Sequence, residues 1–381
     1  MKIDKRPTKA AKRIAIFAAV LLFLGLAFGS TQAQSTPGGW LPFGENPTQG
    51  GPVVKLVSAD GNEIVLQASF AGIEYTTVEI DGSSYTSLSA AGYDTAGAVG
   101  QPALPVVHRL IEIPYGAQVD IEVTSLVSQV IKMDLAGLRY PIVPRQPAQP
   151  KCGDPIPNVV PDRLTYQSAQ SVPQSPVTIV KETMVRGHRL ILLEMAPVRY
   201  NPASAELDTI SEVNIRLKLT GSDVANTLVE LNRLSSSSFD DVLSGSVMNY
   251  NLGQTSLASK TGERYLIITA NAYESALASF VSLKQSQGVS VSRVNLSTTG
   301  TDTTSIKNYI RGQYQGTTPP VYVLLVGDYN DGEDSLTNWP FRSSGQSSYR
   351  TDLEYFTLDG NTDFVPDMLY GRFPVRDVVQ V

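Results

Sequence analysis

The chain has 381 residues, 30 of them basic and 36 acidic, for a formal net charge of −6, and 42% are hydrophobic. That length suits two or more domains, each able to bury its own core. One cysteine, Cys152, excludes a disulfide framework, and two histidines, His108 and His188, narrow the catalytic schemes open to the chain.

Residues 1–33 read as a cleaved signal peptide. Six basic residues between Lys2 and Arg13 precede an uncharged apolar run, Ile14–Gly29, and Thr31-Gln32-Ala33 places small residues where a signal peptidase reads, before Gln34. An uncleaved anchor is the alternative, but the run is short for a span. No cysteine follows it to accept a lipid. Cleavage leaves 24 basic and 35 acidic residues, a net charge of −11. So acidic an exported chain is poorly suited to nucleic acid or to anionic membrane surfaces. No later segment is long and apolar enough to span a bilayer.

Residues 34–51, rich in Gly, Pro and polar side chains, read as a flexible leader. Residues 52–220 read as β throughout. Val53–Val57, Glu63–Phe70, Tyr75–Ile80, Val119–Val123, Val177–Lys181, His188–Met195 and Val213–Leu219 are short runs, alternating or rich in β-branched residues, with turn residues such as Asp81-Gly82-Ser83 between some of them. Val213–Leu219 alternates cleanly, as a half-solvated antiparallel strand should. These runs predict an all-β, sandwich-like domain with a Pro-rich crossing at Tyr140–Pro161.

Residues 221–262 carry many small polar residues and no sustained period, which predicts a linker. Arg233 and Lys260 offer a processing protease basic sites there. From residue 263 the pattern becomes α/β. Tyr265–Thr269, Val289–Val294 and Val321–Val326 predict buried strands. Tyr273 to Lys284, closed by Gly288, and Thr303–Tyr314 predict the helices between them. Strands alternating with helices imply a parallel sheet. Gly327-Asp328 then sits at a strand's carboxyl tip, the edge where open α/β sheets bind ligands and do chemistry.

Acidic residues cluster after that strand: Asp328, Asp331, Glu333, Asp334, then Asp352, Glu354, Asp359, Asp363 and Asp367. Asp359-Gly-Asn-Thr-Asp363 opens with the spacing of an EF-hand loop, but Phe364 stands where the turn needs Gly, and Tyr370 where a bidentate Glu is needed. Spacing alone favours a solvated acidic region; a calcium site of another type, joining Asp328 to Asp363 and Asp367, is the alternative. Cys152 lies in a turn with no partner of known mechanism, and His108 and His188 read as strand residues. G-x-S-x-G, H-E-x-x-H and P-loop patterns are absent. No catalytic residue and no organic cofactor site is assigned.

Several phrases nevertheless resemble gingipain-type cysteine peptidases of the caspase-like clan. In the β region these are Gly100-Gln-Pro-Ala-Leu-Pro105, Ile113-Pro-Tyr-Gly116 and Ala196-Pro-Val-Arg-Tyr-Asn-Pro202, resembling that family's propeptide. In the α/β region Tyr265-Leu-Ile-Ile-Thr269, Val323-Leu-Leu-Val-Gly-Asp328, Thr351-Asp352 and Gly371-Arg-Phe373 resemble the opening of its catalytic domain. The resemblance implies a multidomain chain: an all-β sandwich-like propeptide over 52–220, a processing linker, then an incomplete α/β, caspase-like parallel sheet over 263–381. It implies a secreted endopeptidase precursor acting on proteins or peptides. Its propeptide would pack on its own catalytic domain, and the catalytic His and Cys would come from strands later than Phe373. It also implies structural Ca²⁺ held by Asp328, Asp363 and Asp367, with backbone oxygens near Gly360 and Val365. The competing reading is a non-catalytic exported protein, either a β-rich binding module or a protease-inhibitory propeptide.

Overall fold

The computed structural model describes residues 36–45, 49–149, 154, 156–250, 263–328, 339–341, 349–360, 363 and 365–381. The expected signal peptide and Cys152 lie outside them. Twelve strands fill the first part: β1 Thr36–Pro42, β2 Val53–Ala59, β3 Glu63–Ser69, β4 Gly72–Ile80, β5 Ser83–Ser89, β6 Asp94–Ala96, β7 Leu104–Glu112, β8 Gln118–Lys132, β9 Val177–Val185, β10 His188–Met195, β11 Val198–Asn201 and β12 Glu206–Thr220. Arg163–Tyr166 forms a single helical turn, α1.

Two compact units emerge, and neither follows the linear order. The first comprises residues 1–109, 119–180 and 192–219; the second comprises 110–118, 181–191 and 220–381. Strands β7, β9 and β10 run from one unit into the other.

Antiparallel pairing dominates the first unit, as its strand pattern predicts. In the ladder of β12 on β3, Val213 lies opposite Ala68, Ile215 opposite Leu66 and Leu217 opposite Ile64. All six side chains are buried. Alternation thus puts one apolar face inward, at about 25 cal/mol per Å² removed from water. The flexible leader expected over 34–51 is corrected: β1 pairs with β4, with Trp40 opposite Glu74 and Leu41 opposite Ile73. Leu41 and Phe43 supply the reason, being 6% and 2% exposed. The glycines that suggested flexibility permit close approach instead. A Cβ on Gly39 would lie 2.5 Å from the Tyr75 hydroxyl.

The linker expected over 221–262 is also corrected in its first half. Val224–Leu234 forms α2 and Ser237–Leu243 forms α3. Asp223 and Ser236 cap them, accepting from the Asn226 and Phe239 amides. Thr227, Leu231 and Leu234 bury one stripe of α2, and Phe239 and Leu243 one face of α3. Small polar residues obscured these short amphipathic helices. Residues 251–262 lie outside the described residues.

The α/β pattern follows its prediction closely. β13 Arg264–Thr269, α4 Ala278–Ser286, β14 Ser290–Asn295, the short α5 Leu296–Thr299, α6 Thr303–Tyr314 and β15 Tyr322–Val326 come in that order. A hairpin, β16 Trp339–Phe341 with β17 Tyr349–Thr351, precedes β18 Leu369–Phe373. The parallel sheet runs β14-β13-β15-β18. It has a fourth strand beyond the three predicted, because Gly371 and Arg372 hide β18 from a propensity reading. Ile306, Ile310 and Tyr314 place one face of α6 in the core with Leu266, Ile268, Val323 and Leu325.

Candidate functional site

The register of β15 against β18 separates the predicted ligands. Tyr322 pairs with Leu369 and Val326 with Phe373. Asp328 therefore lies past the carboxyl ends of the pair, where its amide donates to Val375 O at 2.9 Å. Asp367 lies before the amino ends. At about 3.3 Å per residue the two are on the order of 20 Å apart, so one ion cannot bridge them.

At the carboxyl edge Asp328 is buried and forms an ion pair with Arg376. Beside it the Arg372 guanidinium grips Asp352 through two bonds, Nε to Oδ2 at 2.8 Å and Nη2 to Oδ1 at 2.6 Å. Its Nη1 donates to Gly327 O at 2.8 Å. Thr351-Asp352 and Gly371-Arg-Phe373, separate in sequence, are thus one bidentate pair bracing the turn after β15.

At the amino edge Asp359, Asp363 and Asp367 converge, each offering a carboxylate oxygen within 4.8 Å of the others. Asp363 Oδ2 accepts from the Asp359 amide at 3.2 Å, and its Oδ1 from the Val365 amide at 3.1 Å. Gly360, at φ +122, makes the turn between. Asp367 is fully buried. Its Oδ1 accepts from the Arg186 amide at 2.7 Å and the Tyr314 hydroxyl at 3.2 Å, and its Oδ2 from the Leu358 amide at 3.1 Å. Burial, then the neighbouring Asp359 charge, hold its carboxyl well above the usual carboxylate range. Burial also raises Asp359. Of the five predicted positions, four (Gly360, Asp363, Val365 and Asp367) therefore share this loop, and Asp328 does not. Asp359, the third carboxylate of the cluster, was not among the predicted positions, although its four-residue spacing to Asp363 and on to Asp367 was there to be read.

The two histidines are each paired with carboxylates. His188 Nδ1 is 2.7 Å from Glu112 Oε1, both buried. His108 sits between Asp94 and Glu194, at 2.8 and 3.0 Å. A cavity of about 330 Å³ opens beside the acidic cluster, with Tyr115, Arg233, Arg311, Tyr314 and Asp359 on its wall. Arg233 is engaged there by Glu230 at 2.6 Å and by Tyr314 O at 2.7 Å.

A region of mostly antiparallel strands is followed by a parallel α/β sheet, and comparison with known proteins gives the family of both. Residues 45–256 match the C25 propeptide family and residues 258–381 match peptidase family C25. The chain belongs to this gingipain-type family, as a propeptide followed by the start of the catalytic domain. Lys-gingipain of Porphyromonas gingivalis is 27% identical over 319 residues, covering 80% of this chain and 18% of that protein. Gingipain R2 of the same organism is 24% identical, covering 84% of this chain and 42% of its own length. The chain thus spans less than half the length of these relatives. A solved structure on zymogenic latency of gingipain K is 26% identical over 49% of this chain, with a TM-score of 0.41. A complex of RgpB pro- and mature domains gives 19% and 0.43 over 52%.

Proposed function

We propose that this chain is the N-terminal part of a secreted cysteine endopeptidase precursor. The observation that carries the reading is the unbroken succession of the two family matches, propeptide then peptidase. Export by residues 1–33 would deliver the precursor outside the cell, and a cut within 251–262 would separate the propeptide from the enzyme. Protein or peptide chains are the substrates. A cysteine thiolate from a later strand attacks the peptide carbonyl, and a histidine protonates the leaving amine. The residues present prepare that chemistry without performing it. Arg372 and Asp352 fix the turn at the carboxyl edge of β15, where later strand tips would bring the reacting groups.

The acidic loop fits a structural calcium ion. Three carboxylates offer only oxygen donors, which a hard divalent cation prefers, and the charge on buried Asp367 calls for compensation. Asp359, Asp363 and Asp367 would hold the ion, with backbone oxygens near Gly360 and Val365. The ion would neutralise the loop and tie the entry to β18.

The coding sequence beyond codon 381 provides the first test, with a His-Gly and a Cys expected at predicted strand ends. Protein from that longer frame, cut within 251–262, should hydrolyse peptide bonds and lose activity on thiol alkylation. A stop codon directly after Val381, or hydrolysis indifferent to alkylation, would replace this reading with the non-catalytic one.

A further inference from the structure

The tip of the β9–β10 hairpin, Val185-Arg186-Gly187-His188, falls within the propeptide match, and it reaches both its own side, at Leu234 and Phe239, and the peptidase match, at Pro320, Val321 and Asp367. Arg186 is 2% exposed. Its Nε donates to Leu234 O at 2.8 Å, and its Nη1 to Pro320 O at 3.0 Å and Asp367 O at 3.1 Å. Its amide meets the Asp367 carboxylate, and its guanidinium lies 5.1 Å from the centre of the Phe239 ring. The residue takes φ +48, which costs any side chain with a Cβ. A buried cation on a left-handed backbone is expensive unless the site around it is built to receive it. Val185 and Leu190 pack with Phe239, Leu243 and Val321 around this peg.

Position gives the peg its meaning. Pro320 precedes β15 and Asp367 precedes β18, so Arg186 grips the amino edge of the parallel sheet. Chemistry in such sheets belongs to the opposite, carboxyl edge. We propose that Arg186 is a retention anchor: it holds the propeptide on the peptidase segment from the edge away from the working one, and keeps the two pieces together after the chain is cut. The proposal rests on the propeptide reading but not on any natural cleavage, because the cut can be engineered.

The test uses the chain from Gln34 onward with a site for a sequence-specific protease placed within 251–262. It is cut after folding, and its fragments are followed by size-exclusion chromatography over a dilution series. Wild-type fragments should co-elute. Arg186→Gly keeps the amide and suits the positive φ but removes the fork; its fragments should separate at a concentration higher by about thirtyfold or more, the range of an interface hot spot. Unchanged association of Arg186→Gly fragments, or immediate separation of the wild-type pieces, overturns the proposal. Should uncut Arg186→Gly lose its folded circular dichroism, Arg186→Lys is read instead, with weakened association again expected and unchanged association again fatal. Amide exchange on the cut wild-type complex gives an independent reading: slow exchange at Arg186 is expected, and exchange at the rate of an open loop refutes the anchor.

Discussion

Replacing Asp363 with alanine removes one of three converging carboxylates and both oxygens that accept from the Asp359 and Val365 amides. The local bonds cost about 1–2 kcal/mol whether or not an ion is bound, so the informative quantity is the calcium-dependent shift in Tm within each variant. A ligand at a hundred times its Kd stabilises the folded state by about 2.7 kcal/mol. The unit holding the loop comprises residues 110–118, 181–191 and 220–381, and for a domain of that size each kcal/mol moves Tm by roughly 2–4 °C. Calcium should therefore raise the wild-type Tm by about 5–10 °C over the chelated protein. In Asp363→Ala the same comparison should fall below about 1 °C. Differential scanning calorimetry in calcium and in chelator makes the measurement. A wild-type shift near zero, or a full shift retained in Asp363→Ala, refutes the calcium assignment. Asp328→Ala is the internal control: lying at the other edge of the sheet, it should leave the shift intact.

Glu263 accepts from the hydroxyls of Ser236 at 2.7 Å, Ser238 at 2.8 Å and Tyr322 at 2.9 Å, and from the Ser238 amide at 3.1 Å. Burial pushes its carboxyl up, but these bonds together outweigh it and the net shift is downward. A carboxylate lowered in the folded state stabilises above its unfolded value, about 4.3, and that stability is lost as pH falls through the folded value. Glu263→Gln should thus flatten the acid limb of the stability curve measured by urea unfolding; an unchanged limb would count against the clamp. Ile310→Ala in the buried stripe of α6 should cost about 2–5 kcal/mol by chemical denaturation, and a loss below about 1 kcal/mol would deny that this helix face is core. Arg372→Met strands Asp352, whose side chain is 16% exposed, and should destabilise by about 3 kcal/mol; adding Asp352→Leu should recover most of that loss, and a double variant no better than the single would show that the pair does not act as a unit.

Legibility in the sequence tracked the range of the interaction that fixes each element. Val213–Leu219 and Thr303–Tyr314 were readable because their own periodicity reports a buried face, of strand type in one and helix type in the other. β1 and β18 were not, since Gly39 and Gly371 lower local propensity while a partner strand supplies the pairing. The helices α2 and α3 failed for a related reason: their apolar stripes are short and interrupted by Ser and Asn, so tertiary packing decides them. The family phrases succeeded where periodicity could not, since Asp352 and Arg372 stand twenty positions apart and only the folded chain makes them a pair.

The acidic residues show the limit most sharply. Asp328 and Asp367 both flank strands of one parallel sheet, and linear reading groups them as acidic residues near strand ends. In a parallel sheet, however, the residue before a strand and the residue after its neighbour lie on opposite edges. Whether an acid follows β15 or precedes β18 therefore decides its chemistry. Asp328 belongs to the carboxyl edge and is paired there with Arg376, while Asp367 belongs to the amino edge that Arg186 enters. What no sequence pattern supplied was Arg186, because an Arg-Gly hairpin tip reads as solvated and only burial reveals it as a peg.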